Sequence, residues 1–561
     1  MTLTDLRARL SPFVAAYRRY VGPKRQAALM GLLLGLAQPP FGFLPGLLAY
    51  AVLMRSLDGD LGPKPVRRAF LIGWWGGFIY FLIGCFWVAE AFMVDASNQG
   101  WMAPFAVCLL PAGIALFWGA AFALYRKLTA RFWAGHWSRW FFFAGVLCLF
   151  DVLRGTILTG FPWNPIGATW KAGSALSQTA ALIGVYGLGL LTLLIFTSPA
   201  VVARNRGRKG YWPVAVSLAL VAGLSVYGQV RLSTARIVDT PLWVRIVQPD
   251  IGQQAKWSEG ALLKVMRSYV YLSRLPANDE FAKSVTNRDK KPYPDVVLWP
   301  EGALPDAAEN LLDPQSETAL LFNTLLYNRQ VLLWGAYHRA IDDNNSLVWR
   351  NSMLSLTREG DETTYEVVYS KYKLVPFGEF LPFEEVLEKL GVKELAHVGD
   401  GFSPGPRTKP VKAGDLPRFL PLICYEGLFP GLSMQSYGAG NQAERPQWIV
   451  NISNDAWFGP TTGPVQHLNL SSFRAIEEGL PMVRSTPTGI SGLIDPLGRI
   501  VSATEIGIHQ AGVRDMWLPA PAEATFYTQW RYLHLILVAL FCLIPVSIAI
   551  FVNVSKNNDT K

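Results

Sequence analysis

The chain is short of charge. Only 16% of its 561 residues are Asp, Glu, Lys or Arg, against roughly 25% in an ordinary soluble domain. With 51% apolar residues, this excludes a disordered coil, which needs many charges and little apolar surface to stay solvated. A mean hydropathy of +0.23 argues against a purely soluble globule as well. Cysteine is also scarce. Cys85, Cys108, Cys148, Cys424 and Cys542 are scattered and form no CxxC pair, so neither a zinc site nor a disulfide framework is indicated. Internal repeats and low-complexity tracts are absent. The formal charge of +10 does not read as a nucleic-acid footprint in so apolar a chain; it reads first as an orientation signal across a membrane.

A spanning helix needs about 20 mostly apolar residues. Runs at 69–94, 101–125, 140–159, 175–199, 211–228 and 531–553 meet that length. A further stretch, 26–54, is broken by Pro39, Pro40 and Pro45, and reads as one kinked span or as a hairpin. Basic residues decide between these. Arg7, Arg9, Arg18, Arg19, Lys24 and Arg25 precede the stretch, and Arg55, Lys64, Arg67 and Arg68 follow it. Basic segments stay cytoplasmic, so an even number of crossings lies between them. Arg126, Lys127, Arg131 and Arg139, then Arg204, Arg206, Arg208 and Lys209, mark later cytoplasmic loops. The expectation is a multi-pass helical membrane domain of eight spans with both termini cytoplasmic. A cytoplasmic arm covers 1–25, seven spans 26–228, an extracytoplasmic domain 229–530, the eighth span 531–553 and a cytoplasmic tail 554–561. The arm is not a cleavable signal, because its apolar patch is short and arginines flank both sides.

Residues 229–530 are enough for one large core. Short apolar, β-branched runs at 242–248, 295–300, 330–336, 418–424 and 447–453 alternate with helical patterns at 259–275, 316–329, 383–391 and 464–480. That alternation predicts α/β layers. The polar stretch 276–294 reads as a surface loop or insertion.

Three segments within this domain carry chemistry. Glu301 closes Val296-Val297-Leu298-Trp299-Pro300-Glu301, where a carboxylate follows directly on a buried strand; α/β proteins build sites at such strand ends. Lys371 and Lys373 lie in Tyr369-Ser370-Lys371-Tyr372-Lys373-Leu374-Val375-Pro376-Phe377-Gly378-Glu379. Cys424 ends the apolar run 419–424 and is followed by Tyr425 and Glu426. It is the single cysteine of the domain, so it has no intradomain disulfide partner. A free cysteine is more often a small inert hydrophobe, but the polar neighbours weigh against a core position. A thiolate needs a base or a nearby cation. Glu301 is a candidate base, and either lysine a candidate cation.

Taken together, Trp299-Pro300-Glu301, Lys371 with Leu374-Val375-Pro376-Phe377-Gly378-Glu379, and Cys424-Tyr425-Glu426 resemble the Glu-Lys-Cys triad of the nitrilase superfamily. Their order, set between a seventh and an eighth span, resembles the apolipoprotein N-acyltransferase family over essentially the whole chain. Gly160-Phe161-Pro162-Trp163, Asn454-Asp455-Ala456-Trp457-Phe458-Gly459 and Thr488-Gly489-Ile490-Ser491 support it. The resemblance implies an αββα nitrilase-like sandwich and the triad Glu301, Lys371 and Cys424, since the triad lysine lies eight residues before the Glu of the PFGE motif. It implies supporting roles for Glu379, Tyr425 and Glu426, and a substrate-gating Trp257 after Lys256; Phe161, Trp163 and Trp457, amphipathic or apolar residues suited to a bilayer interface, are the further substrate-binding or lid candidates. Departures at Gln248-Pro249-Asp250-Ile251, Gly302, Lys373 and Pro487 leave the triad untouched. The implied reaction moves an acyl chain from a membrane phospholipid, phosphatidylethanolamine, through a Cys424 thioester to the N-terminal amine of a diacylated apolipoprotein. The implied location is a bacterial inner membrane with the catalytic domain in the periplasm. No metal or soluble cofactor is implied. An amidohydrolase using water is the rival enzyme reading. A transporter or receptor is the rival of another class, disfavoured because intramembrane charges do not run along several spans.

Overall fold

Strands and helices segregate along the chain into a helical region, a two-sheet domain and a closing helix. The computed structural model describes residues 22–132, 136–202, 210–288, 291–342, 344–360, 362–381, 401–432 and 444–558. The helical pattern at 383–391, most of the arginine-rich arm and the basic loop at 204–209 lie outside the described residues.

The prolines at 39 and 40 fold the first apolar stretch back on itself. Helix α1 (Pro23–Ala37) ends at a tight turn through a cis Pro39-Pro40 bond; a 3-10 segment, Leu44–Leu48, then leads into α2 (Ala49–Asp58). Five longer helical segments follow: α3 (Pro65–Cys85), α4 (Ala103–Phe132), α5 (His136–Arg154), α6 (Ala180–Val202) and α7 (Trp212–Thr234). A last helix, α12 (Leu533–Asn558), follows the two-sheet domain. Among the described residues, five helices are long and apolar enough to cross a membrane, at Pro65–Cys85, Ala96–Ala130, Leu176–Val202, Trp212–Thr234 and Leu533–Phe551. The α1, α2 and α5 segments fall outside that set. At 1.5 Å per residue, α1 and α2 are each shorter than a hydrocarbon core of about 30 Å.

Small residues let these helices approach closely, as apolar helices must when there is no water to expel. A Cβ on Gly31 of α1 would sit 2.1 Å from the Gly76 carbonyl oxygen of α3. Two buried polar groups brace the region from within. Gln38 Nε2 donates to Tyr80 (2.7 Å) and to Thr169 (2.8 Å). Arg154 pairs with Asp151 one turn earlier and donates to the carbonyls of Phe161 (2.6 Å) and Trp163 (2.8 Å). This i, i+3 pair is therefore a structural clamp on the loop that follows α5.

The two-sheet domain is a four-layer αββα sandwich. One sheet has strand order β10-β1-β2-β3-β4-β5 and the other β6-β7-β8-β9. Their ranges are β1 Asp239–Gln248, β2 Val296–Leu298, β3 Val331–Ile341, β4 Leu347–Glu359, β5 Glu362–Ser370, β6 Phe419–Ile423, β7 Trp448–Ile452, β8 Met482–Ser485, β9 Gly492–Ile494 and β10 Gly512–Pro519. β1-β2-β3, in the middle of the larger sheet, and β6-β7-β8, which open the smaller one, are parallel, and their near-continuous apolar runs follow from burial on both faces. Between the sheets, Ile246, Leu298, Leu333 and Met353 meet Ile423, Val450, Ile452 and Val483. The outer face of the larger sheet packs on α8 (Ala261–Arg274) and α10 (Glu317–Leu325). The smaller sheet packs on α11 (Gly463–Glu478), and that layer shares one continuous core with the helical region.

The expectation of a loop across 276–294 is corrected. It holds α9 (Asp279–Asn287), capped by Asn278, whose side chain accepts from the Phe281 N–H at 2.8 Å. Phe281 and Val285, four apart, seat this helix on Trp243 and Trp517. Two apolar residues in an otherwise polar run were too sparse a periodic signal.

Overpacking in a tight core costs about 1–3 kcal/mol. Gly31→Ala is therefore expected to lower thermal stability by at least that much, because the new methyl meets backbone that cannot swing aside. Melting of the detergent-solubilised protein checks this.

Candidate active site

The triad residues come from three strand ends. Glu301 follows β2, in a turn where the Gly335 N–H donates to the Pro300 carbonyl (3.1 Å) and the Trp299 N–H to the Leu333 carbonyl (2.9 Å). Gly335 cannot carry a side chain, since a Cβ there would lie 2.4 Å from the Glu301 Cα. Lys371 follows β5, its N–H donating to the Asn351 carbonyl at 2.8 Å. Cys424 follows β6 and opens the 3-10 turn Cys424–Leu428.

These ends converge. Lys371, 1% exposed, donates from Nζ to Glu301 Oε1 (3.1 Å) and to Glu379 Oε1 (2.9 Å). Asn351 Nδ2 donates to the same two oxygens, at 2.7 and 2.8 Å. Glu379 Oε2 accepts from the Val375 N–H (2.9 Å), which closes the PFGE loop over the lysine. Burial alone would depress the Lys371 ammonium, but Glu301 and Glu379 outweigh it and hold the group above the usual lysine range. Glu301 Oε2 is buried and accepts no hydrogen bond from the protein. The competing Lys373 points elsewhere, donating to the Thr159 carbonyl at 3.3 Å.

Cys424 is buried and sits at φ +49°. A non-glycine residue in this left-handed region costs on the order of 1–3 kcal/mol and persists only when its surroundings enforce it. Glu426 supplies much of the enforcement. Its Oε1 accepts from the Tyr369 hydroxyl (2.6 Å), the Tyr372 N–H (2.9 Å) and the Lys373 N–H (3.1 Å), and its Oε2 from the Ile423 N–H (2.9 Å). One carboxylate thus ties the cysteine turn to the lysine segment. Burial, then the negative charge of Glu301, pushes the Cys424 thiol up to about 12, with Lys371 offsetting only part. The resting group is a thiol.

The other expected residues surround this centre. Tyr425 donates from its hydroxyl to the Gly160 carbonyl (2.7 Å), and its ring lies 6.4 Å from that of half-buried Phe161. Trp457, half-buried, lies in the 3-10 turn Asp455–Phe458. Trp257 is 40% exposed and follows Lys256, whose Nζ donates to the Gly302 carbonyl at 2.7 Å. Burial lowers the Lys256 ammonium to about 8, with Glu301 opposing. Trp163 is corrected as a lipid-interface residue. It is 1% exposed, donates to Gln466 Oε1 (2.8 Å) and packs on Trp87, Phe458 and His467.

Sequence reasoning missed Asn351, because β4 gave no strand signal in the reading. It also missed a buried group behind the cysteine formed by Asp455, His467 and Arg484, although Asp455 lay in a segment already singled out. His467 looks like ordinary core on an amphipathic helix.

Comparison with known proteins follows the same outline. The apolipoprotein N-acyltransferase N-terminal domain matches residues 30–197, and the carbon-nitrogen hydrolase family matches 245–512. An apolipoprotein N-acyltransferase of Caulobacter vibrioides is 42% identical over 525 residues, covering 93% of this chain and 94% of that one. The chain belongs to the apolipoprotein N-acyltransferase family. Similar proteins of that name in Rhodopseudomonas palustris and Bradyrhizobium diazoefficiens are each 38% identical, over 90% of both chains. Membership, together with five apolar helices of spanning length, makes this a membrane-embedded member of the carbon-nitrogen hydrolase superfamily.

A thiol raised to about 12 is alkylated only through its small thiolate fraction. Iodoacetamide labelling of Cys424 in the wild type is expected to rise about tenfold per pH unit from pH 7 to 10, and Glu301→Gln, which removes one cause of the shift, is expected to label faster at each pH. An ordinary cysteine levels off near 8.5. Peptide mass spectrometry at each pH checks it.

Proposed function

We propose that this acyltransferase moves an acyl chain from a membrane phospholipid to the N-terminal α-amine of a diacylglyceryl-cysteine apolipoprotein, through a thioester on Cys424. The observation that carries the proposal is the junction of Glu301, Lys371 and Cys424 at three strand ends, with Glu301 Oε2 unoccupied by any protein donor. Glu301 takes the thiol proton as Sγ attacks the ester carbonyl. Lys371 stabilises the tetrahedral oxyanion, a type of contact worth about 100–1000-fold in rate. Glu301 then protonates the departing lysophospholipid oxygen. The apolipoprotein amine enters, gives up a proton to Glu301, and attacks the thioester to form an amide and regenerate the Cys424 thiol. Two large lipid substrates use one site in turn, which calls for ping-pong kinetics.

Phosphatidylethanolamine is the donor in this reading. Asn351 and Glu379 position the lysine and the base, and Glu426 holds the cysteine turn. Tyr425 and Phe161 join the site to the helical region, Trp163 supports that contact from below, and Trp257 and Trp457 line the substrate path. The α1–α2 hairpin and α5 complete eight spans, with residues 229–530 in the periplasm of a bacterial inner membrane. Lys24 and Arg25 at one end of the hairpin, with Arg55, Lys64, Arg67 and Arg68 beyond the other, support a shared cytoplasmic side.

Incubation of the purified protein with phosphatidylethanolamine alone is expected to add the mass of one acyl chain to the Cys424 peptide. Cys424→Ser abolishes N-acylation of an apolipoprotein while the melting temperature stays within a few degrees. Glu301→Gln lowers thioester formation by about 100–10,000-fold, the usual worth of a positioned base. A modified Cys424 peptide that yields only free fatty acid, and no amide when the amine acceptor is present, favours an amidohydrolase instead.

A further inference from the structure

Cys424 is supported from two sides, and the Glu426 clamp accounts for only one. On the other side stands a fully buried group with no place in the proton transfers described above. His467, on α11, lies with Nε2 3.2 Å from the Cys424 carbonyl oxygen. Its Nδ1 is 3.0 Å from Asp455 Oδ1 and 3.2 Å from Arg484 Nη2. Arg484 Nη2 donates to both Asp455 oxygens at 2.8 Å, its Nη1 donates to Asn451 Oδ1, and Ser453 Oγ donates to Asp455 Oδ1 at 2.8 Å.

Hydrogen-bond inventory fixes one proton in this group. A backbone carbonyl only accepts, so His467 Nε2 must carry a hydrogen. The Nδ1 atom then accepts from Arg484 in the neutral ring, or donates to Asp455 in the cation. Nε2–H is present in both states. Burial and the Arg484 charge hold the His467 ring below the usual imidazole range, while the Arg484 charge holds Asp455 below the usual carboxylate range against its burial. The resting arrangement is Asp455 anionic, Arg484 cationic and His467 neutral with its hydrogen on Nε2.

We infer that His467 is a positioning residue for the acyl transfer: through the Cys424 carbonyl it fixes the peptide plane on which the nucleophile turns. A trans peptide sets its C=O and N–H antiparallel. Pinning the Cys424 oxygen therefore also sets the direction of the Tyr425 N–H. That N–H lies in the first turn of the 3-10 segment, where an N–H has no acceptor within the segment. The turn is strained at φ +49°, and the His467 bond to its carbonyl opposes its relaxation. Asp455 and Arg484 act one step back, by keeping the ring oriented.

This inference rests on Cys424 being the nucleophile, and the test separates the two. Thioester formation from phosphatidylethanolamine is followed in the wild type, His467→Leu and His467→Gln, all as full-length protein in detergent. Leaving the buried Cys424 carbonyl without its partner costs about 1–3 kcal/mol, which corresponds to about 5- to 160-fold in rate. His467→Leu is expected to lose that much in kcat, with KM for the phospholipid within about twofold. His467→Gln, which keeps a side-chain N–H donor, recovers most of it at a similar melting temperature. Wild-type rates in His467→Leu, or equal loss in both variants, overturn the positioning role while leaving the nucleophile intact. No thioester in the wild type overturns both. Where the leucine variant does not fold, the wild type decides alone: 15N spectra of His467 showing hydrogen only on Nδ1 refute the inference, and hydrogen on Nε2 supports it.

Discussion

Everything in the outer domain answers to one constraint, a lysine buried beside two carboxylates. Each buried ion costs several kcal/mol unless it is paired and hydrogen-bonded. Lys371 meets the cost with Glu301 and Glu379, and Asn351 caps the same two oxygens from the other side. Two carboxylates against one ammonium leave a net negative cluster, which a thiolate beside it makes worse. This is why burial and Glu301 together push Cys424 to about 12, far from an activated resting thiolate. The chemistry is therefore built on a neutral thiol and a base whose second oxygen is unengaged. In the proposed reaction, negative charge appears on sulfur only as it attacks, when it passes at once to an oxyanion beside Lys371.

That arrangement needs a floor, and the helical region supplies it. Tyr425 reaches the Gly160 carbonyl, Trp163 reaches Gln466, and Asn469 is bonded to both Ala168 and Ala172. At the break in α6, where Gly184 has φ +69°, the Val185 N–H donates to Glu477 at 2.8 Å. Gln466, His467, Asn469 and Glu477 all belong to α11, which also carries the ring behind the cysteine. One helix thus presents the nucleophile's support on one side and the contacts to the membrane region on the other. A soluble amidohydrolase needs no such shared core. An enzyme whose substrates enter from lipid does.

Two of the three strand ends of the site, those of β2 and β6, were legible because they combine two strong signals, a β-branched apolar run and an abrupt polar residue. The αββα layering followed from alternation and from the resemblance. Strands β4, β5, β9 and β10 were not legible. They are exposed in part or short, so their alternation is diluted by residues such as Arg350, Ser352 and Ser355 on β4. Asn351 shared that obscurity. A buried asparagine gains its meaning only from carboxylates 50 and 28 positions away, and sequence spacing does not encode that. Trp163 was misplaced for a related reason. Tryptophan suits both a bilayer interface and a core, and only packing against Trp87 and His467 decides.

Positioning from both sides explains why a strained cysteine is tolerated in so apolar a setting. The left-handed turn is costly, and a flexible chain would discard it. Glu426 grips the Ile423 N–H just before the turn and the Tyr372 N–H of the lysine segment, and His467 grips the Cys424 carbonyl. Neither touches the sulfur. Both are wholly buried, so their bonds compete with no water and keep their geometry between turnovers. In the proposed reaction the site accepts two bulky lipids in succession, and so must open widely on one side. Its rigidity then has to come from behind the nucleophile, where these two groups stand.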